Sequence, residues 1–118
     1  MKIAKSFSFA FEGLKTAFKK EVNFKAHAVI TFIAIAMAIF LRLNPLEWLI
    51  LLLTTALVVI LELINTSIEA IVDLVEPNIK NGAKIAKDIS AAAVLISALM
   101  SIAVGLLLFL PKIIALVF

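Results

Sequence analysis

Acidic side chains recur along one long apolar stretch of the chain, where charge is least expected. An apolar run from Leu49 to Leu61 contains only two threonines as polar residues and leads directly into a polar-rich segment. At about 100° per residue, the polar members of that segment fall within about 80° of the helix circumference. We call these five residues the acidic stripe: Glu62, Asn65, Glu69, Asp73 and Glu76.

Several carboxylates on one face of such a helix indicate a site that does not face lipid. One charged side chain at the bilayer centre costs ~2.5–3.5 kcal/mol on the insertion scale. Pairing with lysines would be a purely structural explanation, yet every lysine except Lys112 lies at one edge of the apolar segments. Carboxylates therefore outnumber nearby cations, and a metal ion or protonation would relieve the repulsion. We favour a metal-assisted or proton-handling site over packing alone.

The available ligands point to Mg²⁺ rather than zinc, because the chain has no cysteine and one histidine. Mg²⁺ usually binds through one or two carboxylates together with substrate phosphates. Glu21 is a candidate second carboxylate, although an i, i+4 pair with Lys25 would explain it equally well. Lys87 and Asp88 offer an ammonium group for phosphate beside another carboxylate, and a simple helix-flanking pair is the alternative that composition favours.

Composition places the site in a membrane protein. The 118 residues are 64% hydrophobic, with a mean hydropathy of +1.21, whereas soluble domains are about half apolar. This length predicts a single domain, residues 1–118. The net charge of +3 favours anionic lipid head groups over nucleic acid as the partner.

The periodicity predicts an all-α membrane fold with four helical elements. Residues 1–25 are basic, and aromatic and leucine side chains recur at helical spacing from Phe7 to Phe18, which predicts an amphipathic interfacial helix. The long basic region without a small-residue cleavage site is not typical of a signal peptide. Three segments near the ~20 residues needed to cross a bilayer follow, at about 26–43, 46–75 and 89–110, the last ending at Pro111.

The positions of lysine and arginine predict the orientation of the chain in the membrane. With the N-terminus inside, nine lysines fall on the cytoplasmic side, and only Arg42 and Lys112 fall outside. This is a strong positive-inside bias. We therefore expect the acidic stripe to open to the cytoplasm and the C-terminus to lie outside.

The motifs resemble the small bacterial integral-membrane lipid kinases, the diacylglycerol kinase and undecaprenol kinase family. The pattern E-x-x-N-T-x-I-E-x-x-x-D spans residues 62–73, and A-K-D at 86–88 opens a helix that continues with SAAAV. E-G-L-K at 12–15 and E-V-N-F at 21–24 extend the likeness over nearly the full chain.

The resemblance implies an ATP- and Mg²⁺-dependent homotrimer with active sites shared between subunits at the cytoplasmic interface. By this resemblance, Glu62 would be the general base, with Asn65 also in the catalytic site. Glu21 and Glu69 would be Mg²⁺ ligands at the ATP site. Lys87 and Asp88 would bind ATP, and Asp73 would support the site.

Two positions depart from the family pattern. The loop EPNIKNG at 76–82 lacks the histidine that family members often carry, so adenine contacts at 78–80 are not implied. Glu12 stands where some relatives have lysine, which leaves its role open.

The expected substrate is undecaprenol, giving undecaprenyl phosphate, because the chain lacks the extra polar termini of some diacylglycerol kinases; diacylglycerol, giving phosphatidic acid, is the alternative. A non-enzymatic membrane assembly or proton relay is the rival of another class. The cluster of Glu21, Lys87 and Asp88 argues against a relay, which needs no phosphate site.

Overall fold

Four α-helices make up the structure, a computed structural model that describes residues 2–76, 78 and 81–118. They are α1 (Lys2–Lys20), α2 (Val22–Phe40), α3 (Pro45–Val75) and α4 (Asn81–Val117). The predicted all-α fold is confirmed, and α2, α3 and α4 are long and apolar enough to cross a membrane. The most extensive packing joins α3 to α4, while α2 packs on α3 and α1 contacts both α2 and α3.

Helix α1 is amphipathic, as its spacing predicts. Its large apolar side chains, from Ile3 to Phe18, are exposed, and Ala17 is its only buried residue. This exposed face suits the membrane interface. The helix ends at Lys20, however, and Glu21 adopts an extended conformation as the N-cap of α2. The predicted interfacial segment 1–25 therefore contains a helix break that no glycine or proline marks in the sequence.

A short turn and a capping box begin α3 at the end of the molecule away from the acidic stripe. Arg42 takes a left-handed backbone conformation with φ of 53°. The Asn44 side chain accepts a hydrogen bond from the Glu47 amide at 2.9 Å, and the Glu47 carboxylate accepts one from the Asn44 amide at 3.0 Å. Lys112 of α4 lies 3.2 Å from the same carboxylate and joins α3 to α4 at this end.

The buried core lies at this same end. It consists of Ala38, Leu43, Leu51, Leu108 and Phe109. Most other large apolar side chains are exposed on the single chain, so lipid or further protein must cover them in a membrane.

Helix α4 extends beyond the predicted segment 89–110 at both ends. It begins at Asn81, which brings Lys84, Lys87 and Asp88 onto the helix, and it continues through Pro111. Proline removes one backbone hydrogen bond, but an apolar helix tolerates that loss where the remaining bonds hold. The expectation that the segment ends at Pro111 was therefore wrong for the helix. The loop expected at 76–82 lies partly outside the described residues, since 77, 79 and 80 are not described, and its last two residues belong to α4.

Candidate functional site

Glu62, the deepest residue of the acidic stripe, is packed against other helices of the protein. Glu62 is buried, with 2% of its surface exposed, in the middle of α3. His27 of α2 reaches it, with Nε2 at 3.2 Å from Oε1. That contact lacks the alignment of a hydrogen bond, so Oε1 has no hydrogen-bond partner within the described chain. A buried carboxylate oxygen without a donor is costly, and such exceptions call for a functional explanation.

Two more carboxylates lie close enough to act on Glu62. The charges of Glu21 and Glu69 both repel its carboxylate, while His27 attracts it. Glu21 is brought there by the break between α1 and α2, where it is half-buried. The described residues contain no ion pair between Glu21 and Lys25, because the Lys25 Nζ lies over the Phe18 ring, 5.7 Å from its centroid. Glu21 therefore acts electrostatically on Glu62 of the stripe, and its role as a metal ligand stays a prediction.

A hydrogen-bonded chain of side chains connects α4 to the stripe. The buried Ser90 hydroxyl donates to Asn65 Oδ1 at 2.6 Å. The Asn65 amide then donates to Glu69 Oε1 at 3.2 Å. Because both polar ends of Asn65 are engaged, its side chain has one orientation. This arrangement fixes one oxygen of Glu69 and leaves the other oxygen for a further partner.

The shallow end of the stripe pairs with lysine. Lys87 Nζ donates to Asp73 Oδ1 at 2.5 Å, and Lys84 Nζ donates to Asp88 Oδ2 at 2.7 Å. The sequence does not favour pairing with lysines as the explanation for the stripe. Such a pair does occur at Asp73. Lys87 and Asp88, expected to act side by side, each have a different partner. Glu76, the last member of the stripe, is the C-cap residue of α3.

The described residues contain no group of three or more His, Asp or Glu side chains that could hold a metal ion alone. Mg²⁺ does not require one, because it keeps several waters and binds through one or two carboxylates plus phosphate oxygens. Glu21 and Glu69 supply two such carboxylates near Glu62. These two carboxylates therefore fit a Mg²⁺ ion that is also bound by phosphate oxygens. They do not fit a metal ion bound by protein side chains alone.

An apolar cavity of about 270 Å³ lies between α2, α3 and α4, with His27 on its wall. Three hydroxyl-bearing residues on its wall donate to carbonyls of their own helices, so the wall stays apolar: Thr54 to Ile50, Thr55 to Leu51 and Ser101 to Ala98. The cavity thus accepts hydrocarbon next to the polar stripe.

Sequence reasoning missed two residues of this site, His27 and Ser90. Each is a polar side chain in or beside an apolar segment, and that isolation was the only available signal. Glu12, whose role was left open, lies away from the stripe, with Lys15 Nζ at 3.9 Å from its Oε1.

Comparison with known proteins agrees with the motif resemblance. The model of the prokaryotic diacylglycerol kinase family matches residues 8–109. The chain is 41% identical over 112 residues to a diacylglycerol kinase of Synechocystis, covering 94% of this chain and 64% of that protein's length. It is 39% identical over 108 residues to an undecaprenol kinase of Bacillus subtilis, covering 92% and 88%. It is 30% identical over 101 residues to a diacylglycerol kinase of Escherichia coli, covering 86% and 83%.

The family match covers the amphipathic helix, the acidic stripe and most of α4. The three apolar helices agree with a chain that crosses the membrane several times. The expectation drawn from the motifs is confirmed: this chain belongs to the prokaryotic diacylglycerol kinase family, a family of bacterial membrane lipid kinases.

Proposed function

We propose that the protein transfers the γ-phosphoryl group of ATP to the hydroxyl group of a membrane lipid, with Mg²⁺ as cofactor. The observation that carries this proposal is Glu62, a buried carboxylate in a membrane helix with one oxygen lacking a hydrogen-bond donor. A lipid hydroxyl is a donor that can reach that depth. From Glu62 the stripe climbs α3 toward Lys87, where a water-soluble nucleotide can approach.

The proposed reaction joins the lipid oxygen to the γ-phosphorus and breaks the bond to the β–γ bridging oxygen, so ADP leaves. Glu62 accepts the proton of the lipid hydroxyl as general base. Such transfers depend mainly on positioning and charge neutralisation. Glu21 and Glu69 would hold Mg²⁺, which neutralises phosphate charge when bound. Asn65 holds Glu69 through its amide and would thereby orient the metal ligand.

Lys87 and Asp88 are the proposed ATP-binding residues. Lys87 is oriented by its contact with Asp73. Its ammonium group has three donors, so it can keep Asp73 as a partner while donating to a phosphate oxygen. Asp73 supports the site in this way, by holding the ammonium group at the mouth of the stripe.

Undecaprenol is the proposed acceptor. The Bacillus subtilis relative, which is 39% identical over 92% of this chain, is named undecaprenol kinase. Both lipids present one primary alcohol on apolar chains, and the cavity beside His27 suits either tail.

We further propose a homotrimer in the bacterial inner membrane, with the N-terminus and the active site cytoplasmic and the C-terminus outside. The positive-inside bias supports this orientation. The many exposed apolar side chains of α2, α3 and α4 support contact with other subunits as well as with lipid.

The test is phosphoryl transfer by purified protein from labelled ATP to undecaprenol, diacylglycerol and ceramide in separate assays. We expect Mg²⁺-dependent transfer with undecaprenol preferred. Glu62→Gln should abolish transfer and leave ATP binding and trimer formation intact, because the amide keeps the shape and removes the base. Preference for diacylglycerol would overturn the substrate alone. Absence of transfer to every lipid would overturn the proposed function. Normal turnover by Glu62→Gln would overturn the assignment of Glu62 as general base.

A further inference from the structure

His27 occupies a position that the family motifs do not account for. It is the only histidine in the chain, and it lies on α2, six residues after the break at Glu21. Its Nε2 is 3.2 Å from Oε1 of Glu62, and 21% of its side chain is exposed. The same imidazole lines the apolar cavity between α2, α3 and α4. It therefore contacts the buried carboxylate and also forms part of the cavity wall.

The contact with His27 is the interaction that can orient the Glu62 carboxylate. Glu21 and Glu69 repel the group, and Oε1 of Glu62 has no hydrogen-bond partner among the described residues. Thr66 donates to the Glu62 backbone carbonyl and not to its side chain. Without His27, repulsion from the two neighbouring carboxylates would turn the Glu62 side chain toward any open space.

We propose that His27 is a positioning residue for Glu62, and this rests on the proposed lipid kinase function. The imidazole, which is part of the cavity wall, holds the neighbouring carboxylate in place for the hydroxyl group of a lipid whose chain fills the cavity. The attraction of the imidazole for the carboxylate opposes the repulsion from Glu21 and Glu69. Its loss should therefore appear as a lower rate of the chemical step rather than as weaker ATP binding.

Thr31 provides a matched control on the same helix. It lies one turn further along α2 and lines the same cavity, but no contact joins its side chain to Glu62 in the described structure. A change at Thr31 alters the cavity wall without touching the carboxylate. Comparison of the two positions therefore separates positioning of Glu62 from lining of the cavity.

The first experiment compares steady-state kinetics of His27→Met, His27→Gln and Thr31→Val with the wild type. We expect His27→Met to lower kcat on the order of tenfold or more, with the KM for ATP unchanged. His27→Gln should recover part of that loss, since its amide places a polarised N–H group beside the carboxylate. Thr31→Val alters the cavity wall, so it should act mainly on the KM for lipid and lower kcat less than His27→Met does. Equal effects at the two positions, confined to the KM for lipid, would overturn the proposal and leave His27 as cavity lining.

A second readout does not depend on activity. Thermal unfolding in detergent of His27→Met, Glu62→Gln and the double variant forms a double-mutant cycle. The contact predicts that the Tm change of the double variant differs from the sum of the single changes. Additive changes would overturn the contact and with it the proposal. If the wild type phosphorylates no lipid, the proposed function and the positioning role fail together, while a non-additive cycle would still establish the contact.

Discussion

Substitution of Ser90 by alanine tests the hydrogen-bonded chain that holds the middle of the acidic stripe. Ser90 donates from α4 to Asn65 Oδ1 at 2.6 Å, and Asn65 donates onward to Glu69 at 3.2 Å. Ser90→Ala removes one hydroxyl and adds nothing. Asn65 then loses the partner that determines which way its amide points, and the oxygen of Glu69 loses a fixed donor.

The size of the effect follows from burial. Ser90 is 8% exposed, and Asn65 is half-buried. An unsatisfied buried acceptor costs about 1–3 kcal/mol. Partial access of water to Asn65 places the expected value at about 1–2 kcal/mol within that range. If the amide must hold Glu69 in the productive geometry, this corresponds to about a 5- to 30-fold loss in kcat.

The assay measures initial rates of phosphoryl transfer over a Mg²⁺ titration at saturating ATP and lipid. We expect Ser90→Ala to lower kcat within that range and to raise the Mg²⁺ concentration for half-maximal rate, since Glu69 is the proposed ligand. Ser97→Ala is the control. Ser97 lies on the same helix and is 4% exposed, but its hydroxyl donates to the Val94 carbonyl of its own helix at 2.8 Å.

Equal activity of the Ser90 and Ser97 variants would refute the reasoning. So would a loss of activity in Ser90→Ala that leaves the Mg²⁺ titration unchanged, because the effect would then not pass through Glu69. Thermal unfolding of both variants checks that the comparison is between folded proteins.

Two further predictions concern the metal and the nucleotide. Glu21→Ala and Glu69→Ala should each raise the Mg²⁺ requirement or eliminate activity, because each removes one proposed metal ligand; wild-type Mg²⁺ dependence in both would remove the shared metal site. Lys87→Met should raise the KM for ATP or lower kcat with little change in the KM for lipid, because its ammonium group lies at the mouth of the stripe beside Asp73. Lys84→Met should be milder, since Lys84 pairs with Asp88 in an exposed contact, and equal small effects of the two variants in ATP and lipid kinetics would contradict a phosphate role for Lys87.

The sequence by itself determined the helices and the face on which the polar groups lie. Hydropathy located three apolar helices, and helical periodicity placed Glu62, Asn65 and Glu69 on one side of α3, because both depend on residues close in the chain. The same local pattern carried the family motif. The break at Glu21 and the passage through Pro111 were not predictable in this way, because packing between helices and the continuity of an apolar helix overrode the local signals.

Only the tertiary structure decided which helices supply partners to that face. His27 meets Glu62 from α2, and Ser90 meets Asn65 from α4, across large separations in the chain. Lys87 pairs with Asp73 and not with its neighbour Asp88. Periodicity along one helix is silent about the rotation and the axial position of the helix packed against it. Those two quantities determine which side chains meet, and they are set by packing of α2 and α4 on α3.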